Sequence, residues 1–206
     1  KRKAFVSATE LLILFIISLI ANLLSALAGG GAGLLQLPAL LFLGLPFPTA
    51  LATHKIASVA LGVGASIRHW QSEKLDVRFS LFILAAGLPG VWLGTQVILD
   101  VPEHWAKLAL GILTIGIGVY SLFKPNLGQK NETRTHSFRE LSIGCSVLFI
   151  IGVLNGSLTS GTGLFVTLWL IRWFGFDFTR AVAYTLILVG LFWNGVGALF
   201  LAQQTT

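Results

Sequence analysis

The chain has 206 residues, of which 55% are hydrophobic and 11% charged, with a formal net charge of +6. A soluble domain carries roughly 25% charged residues, so this composition excludes an ordinary water-soluble fold. It also excludes a nucleic-acid module, because the basic residues cluster between apolar runs instead of forming a stripe on a polar domain.

In chain order, the uncharged run 11–27 predicts a first helix over 6–28. It ends in a glycine break, Ala28-Gly29-Gly30-Gly31-Ala32-Gly33-Leu34. A short apolar segment, 34–44, follows. As a helix it measures about 16 Å, too short to cross a bilayer, which takes about 20 residues; it reads as re-entrant. Gly44 and Phe47-Pro48-Thr49-Ala50-Leu51-Ala52 open a helix over 49–68. Two more are predicted over 79–99 and 105–123, then a polar loop from Lys124 to Arg139. The pattern then repeats as a helix over 141–158, a second break Leu158-Thr159-Ser160-Gly161-Thr162-Gly163-Leu164, a short piece over 164–174, and a helix over 179–202 begun by Phe178-Thr179-Arg180-Ala181-Val182-Ala183.

The expected fold is therefore all-α: a polytopic helical membrane protein with two repeats, each with a glycine-broken short re-entrant helix. The divisions are 1–123 for the first repeat, 124–140 for a cytoplasmic loop, and 141–206 for a second repeat. Counterparts of 79–99 and 105–123 do not follow, so that second repeat reads as incomplete. Ten of the fourteen Lys and Arg lie at 1–3, 68–78 and 124–139. Placing all three clusters in the cytoplasm gives a multi-pass protein of the cell membrane with a cytoplasmic N-terminus. Its repeats are then parallel, related by an axis along the membrane normal, and the 172–180 turn lies outside.

Broken helices at matching places in two halves mark a transport site. Glycine tolerates the reversals, and non-helical backbone inside a membrane must be buried in protein or face water. Each restarted helix presents free N–H groups and a positive dipole end, which attract anions. The expected binding residues are Gly30, Gly31, Gly33 and Gln36 at the first break, and Thr159, Ser160, Gly161, Thr162 and Gly163 at the second. The alternative is that the glycines only permit close helix packing. Lys55, within the apolar span, is a counter-charge for an anion or a lysine that snorkels to the interface. His54 is a possible carrier of a coupling proton. Asn155 and Asn194 need partners inside apolar helices, either across helices or along a polar path. No Asp or Glu sits deep in a span, which argues against a cation pathway. No catalytic motif or metal-ligand spacing occurs, so no enzyme activity, metal or cofactor is expected.

Residues 28–55, AGGGAGLLQLPALLFLGLPFPTALATHK, and 155–185, NGSLTSGTGLFVTLWLIRWFGFDFTRAVAYT, together resemble the sulfite exporter TauE/SafE family of membrane proteins. The shared pattern is a Gly-rich break, a short apolar piece, a Gly, and a small-residue helix start. Residues 50–53 match the last of these as Ala-Leu-Ala-Thr, whereas Tyr184 interrupts the match in the second copy. The resemblance implies export or uptake of small sulfur-containing anions, such as sulfite or organosulfonates; with the two breaks, the expected function is a secondary transporter working by alternating access around a site between them. The partners are then a small sulfur-containing or carboxylate anion, the lipid bilayer and a coupling proton. An anion channel and a non-transporting scaffold are the alternatives.

Overall fold

A computed structural model describes residues 8–70, 75–122 and 137–204. Among these, every element is helical: α1 (Ala8–Ala28), α2 (Gly33–Phe42), α3 (Phe47–Trp70), α4 (Val77–Asp100), α5 (Glu103–Leu122), α6 (Phe138–Ser157), α7 (Thr162–Arg172) and α8 (Phe178–Tyr184). α8 passes into a π-helical stretch, Thr185–Trp193, and then into α9 (Asn194–Gln204). Five helices are long and apolar enough to cross a membrane: α1, α3, α4, α6 and the continuous run from α8 to α9. α5, expected to cross as well, is not among them; Glu103 and Lys107 pair in its first turns at 2.9 Å. α2 and α7 have 10 and 11 residues, about 15 Å each.

Glycine is what lets these helices approach. α4 and α6 lie side by side through Gly87, Gly90 and Gly94 on one and Gly152 and Gly156 on the other. A Cβ on Gly90, Gly94, Gly152 or Gly156 would collide with the facing backbone, and one on Gly87 with the Trp193 indole. Small residues at helical spacing are the usual means of close contact where no hydrophobic driving force acts between helices. Gly87 sits level with Gly152 and Gly94 with Gly156, so the two helices run parallel.

α3 and the α8–α9 run are antiparallel. Gly197 faces Lys55 at one end of their contact and Gly190 faces Gly62 at the other. Other contacts fix which ends share a face. At the first face, the Phe47 N–H, opening α3, donates to Glu103 Oε1, opening α5, at 3.3 Å. At the second, the Asp76 N–H, just before α4, donates to Tyr184 Oη at 2.8 Å. There Phe79 also packs edge-on against Phe174 and Tyr184.

The two glycine breaks are the tips of hairpins that enter from opposite faces. α2 folds back along α1: Gln36 Nε2 donates to Ser18 Oγ at 2.8 Å, and Leu14 joins the cluster of Leu37, Leu40 and Phe47 at the first face. α7 folds back along α6: Trp173 Nε1 donates to the Glu140 carbonyl at 3.2 Å.

This geometry corrects the expected topology. The short helices return to the side from which their partners came, so α1 starts at the face opposite Arg68 and Arg78, and the 172–180 turn lies on the same face as those arginines. Among the described residues, the α1–α2 and α6–α7 hairpins run in opposite directions. Lys1 to Lys3, Lys74 and the 124–134 cluster lie outside the described residues.

Candidate functional site

The hairpin tips meet. A Cβ on Gly30 would come 2.7 Å from the Gly163 carbonyl carbon, and one on Gly163 would come 3.3 Å from Gly30 Cα. Gly29, Gly30, Gly31 and Gly161 all take positive φ, between +71° and +117°, where an L side chain is strained. Thr159 does so too, at 58°, and its hydroxyl is tied to the Asn155 carbonyl at 2.6 Å. Thr167 Oγ lies 2.5 Å from the Gly29 carbonyl and 2.8 Å from Thr185 Oγ, joining the first break to α7 and the π-helical stretch.

The tips enclose a cavity of about 30 Å³. At roughly 10–15 Å³ per water, it admits only a few heavy atoms. Of the residues expected at the site, Gly30, Gly31, Gly33, His54, Thr159, Thr162 and Gly163 line it. Ser25, Ser58, Asn155, Thr185 and Asn194 line it as well. Asn155 and Asn194 were legible as polar residues in apolar helices; Ser58, one turn after His54, and Ser25, one turn before the first break, carried only that spacing as a signal.

Gln36, Lys55, Ser160 and Gly161 do not line the cavity. Gln36 stands behind its wall: with Nε2 donating to Ser18, its Oε1 accepts from His54 Nδ1 at 2.7 Å. The other ring nitrogen, Nε2, then faces Gly33 and Ser58, with Ser58 Oγ at 3.3 Å. Lys55 is 0% exposed and does not snorkel. Its ammonium donates to the Asn155 carbonyl at 2.8 Å and lies against Gly197. Ser160 is buried with no partner for its hydroxyl among the described residues. Gly161 begins α7 against Leu34 and Ile117.

Helix starts divide into two kinds. α4, α6 and α8 are capped by Asp76, Ser137 and Asp177, whose side chains accept from the first backbone N–H groups. α2 and α7, which start at the cavity, have no side-chain cap. The Leu34 and Leu35 N–H groups bond back to the Gly31 and Ala32 carbonyls, and the Thr162 N–H to the Thr159 carbonyl, so among the described residues the N–H groups of Gly33, Gly163 and Leu164, with the two dipole ends, are what remains for an occupant of the space between them.

The family model for the sulfite exporter TauE/SafE matches residues 14–206, nearly the whole chain. The chain belongs to the TauE/SafE sulfite exporter family. The TauE/SafE chain is 33% identical over 178 residues to a Haemophilus influenzae protein described as a "probable membrane transporter protein", covering 86% of this chain and 69% of that one. It is 28% identical to YfcA of Escherichia coli, which carries the same description, over 89% of this chain and 67% of that one. A Bacillus subtilis relative, YunE, is 22% identical over 87% and 74% of the respective chains. No solved structure matches. As a TauE/SafE member the chain is a membrane transporter protein.

Proposed function

We propose that the chain is a secondary transporter of a small oxyanion, bound between the tips of the two hairpins. The observation that carries this reading is the pair of helix starts without side-chain caps, α2 and α7, converging on one cavity lined by Asn155, Thr159 and Thr162. Backbone donors and two dipole ends supply the attraction, and Lys55, one layer behind, adds positive charge with no carboxylate paired to it among the described residues. The family's name gives sulfite as the first ligand to try. The cavity's size favours sulfite over longer organosulfonates in this conformation.

The hairpins enter from opposite faces, and α3 crosses the α8–α9 run near Gly62 and Gly190. These relations support two repeats inverted about an axis in the membrane plane. Rocking one hairpin against the other then opens the cavity to one face at a time. Arg68, Arg78, Arg139, Arg172 and Arg180 lie at the second face, against Lys107 at the first among the described residues. The positive-inside rule puts the second face in the cytoplasm and the start of α1 outside.

A cavity of only about 30 Å³ between touching hairpin tips favours a carrier over a channel. Reconstituted protein should show saturable sulfite uptake that is accelerated by sulfite on the opposite side. Conductive flux without counterflow stimulation would overturn the carrier reading, and no sulfite flux in either mode would overturn the anion site.

A further inference from the structure

We propose that the cavity selects a protonated oxyanion, hydrogensulfite rather than the sulfite dianion, through the unpartnered acceptor Asn155 Oδ1. The proposal rests on the anion reading above and deepens it by naming the protonation state of the substrate.

Three bonds fix the orientation of the Asn155 amide. The Thr162 hydroxyl donates to the Thr159 carbonyl at 2.7 Å, so its oxygen is left to accept. It accepts from Asn155 Nδ2 at 2.9 Å. The other Nδ2 hydrogen reaches Asn194 Oδ1 at 3.2 Å. In this arrangement both amide hydrogens are used. Asn155 Oδ1 is the remainder. The residue is 0% exposed, it lines the cavity, and no donor among the described residues reaches that oxygen.

A buried acceptor without a donor is costly, and the occupant that supplies one is favoured. The helix starts of α2 and α7 offer N–H donors beside it. A fully ionised oxyanion would set a lone pair against the Asn155 oxygen. An anion carrying one O–H would satisfy it while its other oxygens take the N–H groups. Sites built around one hydrogen bond to a hydroxyl reject analogues lacking it strongly.

The test is calorimetric binding to purified protein in lipid nanodiscs. Chlorate is the control: it has the pyramidal three-oxygen shape and single charge of hydrogensulfite but no proton. Wild type should bind hydrogensulfite at least about tenfold more tightly than chlorate. Its sulfite affinity should fall as pH rises through the second dissociation of sulfite, while chlorate affinity stays level. Asn155→Ala should lose the preference and bind the two anions alike. Equal wild-type affinities, or sulfite binding that is flat through that dissociation, would overturn the selection while leaving the anion site standing. Binding of neither anion would overturn both. The wild-type comparisons carry the test without relying on the variant.

Discussion

The Lys55 ammonium and the Asn155 carbonyl are joined by a 2.8 Å hydrogen bond between α3 and α6, with no carboxylate paired to Lys55 among the described residues. A fully buried cation held by a backbone oxygen is a poor stabiliser, because desolvation outweighs what one neutral acceptor returns. Lys55→Met should therefore leave the melting temperature unchanged or raise it, while sulfite flux falls at least about tenfold. Thermal melts and proteoliposome uptake check the two halves separately. Unchanged flux would reduce Lys55 to a structural bond.

Gly30→Ala and Gly64→Ala should behave oppositely. At Gly30 the added methyl meets backbone at 2.7 Å and φ is +117°; the conformation alone costs about 1–2 kcal/mol, and the collision parts the hairpin tips. Gly64 lies in α3 with nothing within 4 Å of the added atom, and alanine there should stabilise by about 0.5–1 kcal/mol. Melting temperatures in one detergent, with transport alongside, test the contrast.

Single cysteines placed at Lys107 and at Arg180, with the native Cys145 replaced by alanine, should label from opposite sides of the membrane. An impermeant maleimide added to whole cells should modify position 107 directly and position 180 only after permeabilisation. Labelling of both from outside would restore the parallel arrangement that charge alone suggested.

Thr167→Val removes the hydroxyl that ties α7 to the Gly29 carbonyl while conserving shape. Leaving that carbonyl unpaired should cost about 1–3 kcal/mol. A loss of flux that exceeds the loss of stability would show that the first break must be held in place for transport.

The spans were legible because bilayer solvation demands long uncharged runs, and the helix starts at Phe47 and Phe178 are marked by their flanking glycines and prolines or acids. The breaks were legible for the same reason: Gly29 to Gly31 cannot continue a stable helix. The side to which each short helix returns was not. Hydropathy has no direction, and α2 folds back on α1 only because Leu14 and Ser18 meet Leu37 and Gln36 in space. The fate of Lys55 depended on Gly197 leaving room for its ammonium, a pairing 142 positions apart that no local pattern announces.

The chain caps α4, α6 and α8 with its own oxygens and leaves α2 and α7 open where they converge. The substrate, on this view, completes the fold from outside the sequence, and supplying that oxygen from within should silence the protein. Ala32, the position before α2, is buried in the cavity wall. An Ala32→Asp variant that inserts, resists heat better than wild type and no longer binds sulfite would be a transporter permanently occupied by its own side chain.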